Sequence, residues 1–419
     1  MIHLKLYDPK PEQTRALGSY MEAHSHLLEQ IQAGEDGYKD VLGWLHVSTW
    51  AGEAVLSQVE ALAEKIRKDA DAFVLIGVGG SNNTARSVIE ALGTDGPEII
   101  YAGNTLSPRA LSQVMDAVKG KKIWINCIAK NFETLEPGSS FRILRKYMYE
   151  AYGSTEAAQR IIATGTRGSL LEGLCHEHGY TFLGFPEDVG GRYSGITSVG
   201  LLPMAVAGIN IRKLVQGAMD MERSLLFASA GENVAFEYAC IRNMLYKQGY
   251  ALEMLASFEP AFRWFYKWWI QLFAETEGKE GKGLFPVTGE YSEELHAVGQ
   301  FVQEGTPLMF ETFLDVKTPV GTLVIENDGI KDAFDYLDGM DFQTVNRIAF
   351  EATVKAHSRR LPCLILTLDR LDEYCFGEMF YFFMFACCIS ARLLGVNPFD
   401  QPGVEAYKEQ MFEGLGKQV

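Results

Sequence analysis

Cysteine is scarce: the 419 residues hold seven, Cys127, Cys175, Cys240, Cys363, Cys375, Cys387 and Cys388, an odd number without regular spacing. That excludes a disulfide framework, and their mostly apolar neighbours read as buried thiols of a reducing compartment. No stretch concentrates lysine and arginine, and 38 basic against 54 acidic residues leave a formal charge of -16. Nucleic acid is therefore disfavoured as a partner, while an anionic substrate stays open because steering depends on the field inside a cleft. No apolar run reaches the roughly 20 residues that span a bilayer. The longest, Met379 to Ala391, is bounded by Glu378 and Arg392 and reads as a helix in a domain core. The start, MIHLKLYDPKPEQ, carries charge where a signal peptide needs an apolar segment, so the expectation is a cytoplasmic protein with no membrane partner. Neither His24-x-His26 nor His176-x-His178 is joined by further ligands at zinc-like spacing, so no metal site is expected.

What is present is apolar bulk, 47% of residues with 12% aromatics, enough for large cores and two domains. From about residue 70, short β-rich runs alternate with segments of helical period, the pattern of a parallel α/β sheet. Strands are expected at Ala72 to Ile76, Glu98 to Tyr101, Lys122 to Ile128, Arg160 to Ala163 and Tyr180 to Gly184. A turn-rich loop, PEDVGGRYSGI, then marks a domain boundary, with later strands expected at Thr322 to Glu326 and Leu361 to Leu368. The run RWFYKWWIQLF from Arg263 is aromatic at helical spacing and reads as a packed core or subunit-facing helix.

Several segments carry residues suited to chemistry. Gly77-Val78-Gly79-Gly80-Ser81 follows a strand and opens a helix, so its free N–H groups and dipole suit an anion such as phosphate. It is neither GxGxxG nor a P-loop, and it equally reads as a plain β–α turn. Ala129 to Pro137 lies at the carboxyl end of a strand, where open α/β sheets bind ligands. There Lys130 offers a point charge, Asn131 and Thr134 hydrogen bonds, and Glu136 an acceptor for a sugar hydroxyl. The same text reads as a helix start capped by Thr134, with Pro137 in the first turn. Arg192, presented by Gly190-Gly191, suits charge developing on a substrate oxygen, or an ion pair between domains. In QLFAETEGK, Glu275 at the edge of an apolar wall suits a general base, and otherwise is an ordinary helix end. His296 sits among apolar neighbours, and Lys408 follows the turn-rich NPFDQPGVEAY.

In identity and order these pieces match one family. Through VGGRYSGITSVGLLP, FAETEGKEGKGLFP, LHAVGQFVQEG and NPFDQPGVEAYK, the chain resembles the phosphoglucose isomerase family from about residue 40 to about residue 412. The resemblance implies two doubly wound α/β domains of the sugar-isomerase (SIS) type, with parallel sheets flanked by helices. The expected division is an extension over 1–40, SIS domains over 41–190 and 191–396, and a helical segment over 397–419. It further implies reversible isomerisation of glucose 6-phosphate and fructose 6-phosphate through a cis-enediolate, without cofactor or metal, in a homodimer. On the matching positions, Glu275 is the base, Arg192 stabilises the enediolate, and His296 and Lys408 help open the ring. Gly80, Ser81, Lys130, Asn131 and Thr134 fall on the phosphate site, Glu136 near the sugar end, and Gln271 and Gln401 on ligand contacts. The phosphate loop departs from the family's Ser-Lys-Ser/Thr, reading Ala129-Lys130-Asn131 with an added carboxylate at Glu133. An isomerase for another phosphosugar, such as mannose 6-phosphate, or a non-catalytic sugar-phosphate sensor are the alternatives.

Overall fold

In the computed structural model, which describes residues 2–417 other than Asp36 and Thr322, the chain opens on an edge strand, β1 (His3–Tyr7). The five strands expected before residue 185 all form: β2 (Ala72–Ile76), β3 (Glu98–Ala102), β4 (Ile123–Ala129), β5 (Ile161–Gly165) and β6 (Thr181–Gly184). Every residue of β2, β4 and β5 is buried, as expected for strands covered by helices on both faces. They pair in parallel in the order β3-β2-β4-β5-β6. Because β3 lies on one side of β2 and the later strands on the other, the connections diverge between β2 and β4. That divergence opens a crevice at their carboxyl ends.

The second sheet repeats the plan with β7 (Leu252–Ser257), β8 (Phe285–Glu290), β9 (Met309–Thr318) and β10 (Cys363–Arg370), in the order β1-β10-β9-β7-β8. Its four later strands are parallel, and β1 adds antiparallel to β10. The first residues are thus an integral edge of the second sheet rather than a free extension. One strand expectation is corrected. Thr322 lies outside the described residues, and the rest of the run Thr322–Glu326 makes only an isolated bridge, Val324 to Asp341. The strand of that region is β9, where buried Glu311 and Thr312 interrupt the apolar pattern and hide it from a reading by hydropathy.

The run Met379–Ala391 is buried throughout and lies within the helix Glu373–Leu394. By length and composition that helix is long and apolar enough to cross a membrane, yet its apolar window is 94% buried inside the protein. It packs against the helices Ile211–Phe227, Val234–Lys247 and Arg263–Glu277. In the last of these, Phe265, Trp268, Trp269, Leu272 and Phe273 recur at helical spacing and are buried. Trp268 meets Phe380 edge to face at 4.8 Å, a pair worth ~0.5–1.5 kcal/mol beyond its buried area. Of the two readings, a packed core or a subunit-facing helix, the aromatic stripe forms the packed core. On the flank of this buried stripe stand Gln271 and Glu275, both partly buried, four residues apart and so side by side.

Candidate active site

The crevice between β2 and β4 is built first from two loops. After β2, Gly79 turns with φ of +59° into the helix Gly80–Leu92. A side chain at Gly79 would reach 2.6 Å from Gln271 Nε2, and one at Gly80 would reach 2.0 Å from the carbonyl oxygen of Gly191. Only glycine lets this helix start close against both the aromatic helix and the turn that carries Arg192. Ser81 stands in the first turn, partly buried.

After β4, Lys130 donates to the carbonyls of Glu187 at 3.0 Å and Val189 at 2.7 Å. It therefore braces the loop that leads to Arg192, and burial holds its ammonium below the usual lysine value, with Asp188 and Glu187 opposing. Asn131 Oδ1 accepts from the Glu133 amide at 2.9 Å. Thr134 occupies the N-cap position of the helix Leu135–Arg160, but its hydroxyl donates to the Asn131 carbonyl at 3.0 Å instead of capping. Pro137 is in the first turn and buried, and Glu136 is half-buried beside it. The added carboxylate, Glu133, pairs with Lys417 at 3.0 Å.

Arg192 is the hub. It is 2% exposed in a 3-10 turn, Gly191–Ile196, and spends all three guanidinium nitrogens on neighbours. Nε donates to Thr276 Oγ1 at 2.8 Å, Nη1 to Glu275 Oε2 and to Gln401 Oε1 at 3.0 Å each, and Nη2 to the Pro398 carbonyl at 2.6 Å. The other oxygen of Glu275, Oε1, accepts from Gln271 Nε2 at 3.0 Å. Arg192, Glu275, Gln271 and Gln401, four of the candidate residues, thus converge. Thr276 and Lys279 join them without having been singled out. Lys279 donates to the Asn397 carbonyl and pairs with Asp400 at 2.8 Å, tying the turn that bears Gln401. Both lie inside the ETEGK text, but nothing in their spacing says which way they face.

His296 and Lys408 share no hydrogen bond or ion pair with this cluster among the described residues. His296 is exposed in the turn Glu293–His296. Lys408 pairs with Glu405 at 2.8 Å on the helix Glu405–Gly414, none of whose residues is buried. A carboxylate with two donors beside a buried arginine can accept a proton from carbon and have the resulting oxyanion stabilised.

A family model described as phosphoglucose isomerase matches residues 53–316. Among curated proteins, the chain is 41% identical to a glucose-6-phosphate isomerase of Staphylococcus saprophyticus over 397 residues, covering 93% of this chain and 90% of that protein. It is 42% identical to one from Bacillus cereus over 408 residues, covering 94% and 90%. Among solved structures, a hypothetical protein from Thermus thermophilus aligns with a TM-score of 0.91 at 22% identity, covering 99% of this chain and 100% of that one. A glucose-6-phosphate isomerase from Chlamydia trachomatis aligns at 0.81 with 17% identity, covering 96% and 85%, so these two speak for the fold. On the family model and these identities, the chain belongs to the phosphoglucose isomerase family.

Proposed function

We propose that Glu275 is the base in the reversible isomerisation of glucose 6-phosphate and fructose 6-phosphate, the reaction that the chain's family and its 41% identical relatives assign to it. The observation carrying this reading is the convergence of Arg192 and Gln271 on the two oxygens of Glu275. With the open-chain sugar in the crevice, Glu275 takes the proton from C2 of the aldose, or from C1 of the ketose, and returns it to the neighbouring carbon. The electron pair left behind forms the cis-enediolate, whose oxygen charge faces the guanidinium of Arg192. Gln271 orients the carboxylate, and Gln401 is a ligand contact.

The phosphate seat is assigned to Gly80 and Ser81 on one loop and Lys130, Asn131 and Thr134 on the other, with Glu136 near the sugar end. The helix start at Gly80 supports this, since the amino end of a helix dipole favours an anion. Ring opening is assigned to His296 and Lys408. Exposure of His296 fits a homodimer in which it enters the partner's crevice, and the burial of all seven cysteines, none in a disulfide, fits a cytoplasmic setting. The site draws on segments from both sheets, in keeping with a boundary near residue 190.

The test is conversion of fructose 6-phosphate to glucose 6-phosphate through a coupled dehydrogenase, wild type beside Glu275→Gln. Turnover is expected to vanish in the variant while sugar phosphate still binds. Normal turnover in the variant would sink the base assignment. A phosphosugar panel including mannose 6-phosphate decides the substrate, and binding without turnover in the wild type would indicate a sensor.

A further inference from the structure

The last turn of the helix Arg263–Glu277 breaks the charge rule for helix ends. It carries Glu275 and Glu277 and no basic residue, although the carboxyl end of a helix dipole repels negative charge. Two buried arginines offset this. Arg192 holds Glu275 and Thr276. Arg242, on the helix Val234–Lys247, holds Glu277 with both Nη atoms, the Nη2 to Oε2 distance being 3.2 Å. Arg242, Glu277 and Glu253 are each 0% exposed.

Arg242 is itself fixed from other elements. Its Nε donates to Glu253 Oε2 of β7 at 2.6 Å, and Nη1 donates to Ser390 Oγ on the helix Glu373–Leu394 at 2.8 Å. The far oxygen of Glu253 accepts from Tyr238 at 2.5 Å and Thr312 at 2.6 Å. The end of the aromatic helix is therefore pinned through one guanidinium to the second sheet and to the core helix. Stability is a poor reason for such a cluster, because a buried ion pair is often no more stabilising than apolar residues of the same volume. Fixed geometry is a better one. Glu277 lies two residues from Glu275, so any tilt or unwinding of this turn moves the Glu275 carboxylate.

We propose that Arg242, acting through Glu277, is a positioning residue that sets the direction of the Glu275 carboxylate for proton transfer. This rests on Glu275 being the base. Misplacing a reacting group by about 1 Å costs on the order of a hundredfold in rate. A loosened turn should accordingly slow proton transfer and leave binding of the sugar phosphate intact.

The experiment compares Arg242→Lys, which keeps the charge and loses the fork, with Glu277→Gln, which keeps the shape and leaves Arg242 in a balanced pair with Glu253. The second variant is expected to fold even if the first does not. Each is assayed with glucose 6-phosphate and with its C2-deuterated form, alongside Glu275→Gln and the remote control Arg160→Lys. Arg160, itself nearly buried, pairs with the more exposed Asp69 in the first domain. The expected result is a fall in kcat of roughly ten- to a hundredfold, KM within about twofold, and a larger deuterium isotope effect, with none of these in Arg160→Lys. A merely structural role lowers the active fraction and leaves the isotope effect unchanged, which would overturn the proposal, as would normal kcat in Glu277→Gln. Retained turnover in Glu275→Gln would remove the base reading itself. Loss there with normal kinetics in the other variants would overturn only the positioning role.

Discussion

Arg192 Nη1 lies 3.0 Å from Glu275 Oε2, a contact between residues 83 positions apart in sequence, and the arginine is 2% exposed while the carboxylate side chain is 33% exposed. The pair is thus asymmetric: the cation is fixed by Thr276, Gln401 and backbone carbonyls, and the carboxylate keeps one side open to a ligand. A fixed donor beside an accessible base is preorganised for charge that develops during reaction.

Replacing Arg192 by lysine keeps the charge and removes the fork that reaches Thr276, Glu275 and Gln401 together. Steady-state kinetics of Arg192→Lys should show kcat reduced roughly a hundred- to a thousandfold. An unchanged kcat would mean that the guanidinium only ties the domains.

Lys130 is held below the usual lysine value by burial. Only its protonated form attracts a phosphate dianion, so binding is complete below the depressed value and weakens as pH rises through it. KM for fructose 6-phosphate should therefore climb in an alkaline range that ends short of ordinary lysine titration. Lys130→Met should have a high KM at all pH and no such limb. A limb that persists in the variant would assign it elsewhere.

Glu133 places a carboxylate in the loop assigned to phosphate, with Lys417 at 3.0 Å as its counter-charge. An exposed pair of this kind is worth about 0–1 kcal/mol, so its loss is tolerated. Glu133→Gln should lower KM for the sugar phosphate by a factor of about two to five at low salt, with the effect shrinking as ionic strength rises. A raised KM would show instead that the pair holds the loop in its binding form.

His296 is exposed and takes no part in the Arg192 cluster of its own chain. If it serves the partner's crevice, inactive Glu275→Gln and inactive His296→Ala chains should complement when dissociated and reassociated together. Each mixed dimer then holds one intact site and one doubly defective site. Activity should return to about a quarter of the wild-type level with random pairing. No recovery in verified mixed dimers would place the histidine in its own chain's site.

The local signals are legible because they depend on residues close in sequence. The five strands of the first sheet, the glycine turn at Gly79-Gly80 and the core helix over Met379–Ala391 each follow from periodicity and turn chemistry within a dozen or so residues. β9 escapes such a reading because Glu311, bonded to Tyr291 at 2.5 Å and to His357 at 2.7 Å, makes a buried strand look polar. β1 reads as an extension because an edge strand needs only a partner, and its partner, β10, begins some 350 residues later.

The sequence by itself determined the α/β class, the family and the identity of the candidate residues, since residue type and order survive in one dimension. Only the tertiary structure decided which of them meet. It turned Lys130 onto the carbonyls of Glu187 and Val189, and gave Thr134 a donor's role in place of a cap. It also placed Arg242 and Ser390 beneath the turn that bears Glu275. Such contacts join positions far apart along the chain, and their directions follow from how the helices pack over two sheets, which no spacing in the sequence records.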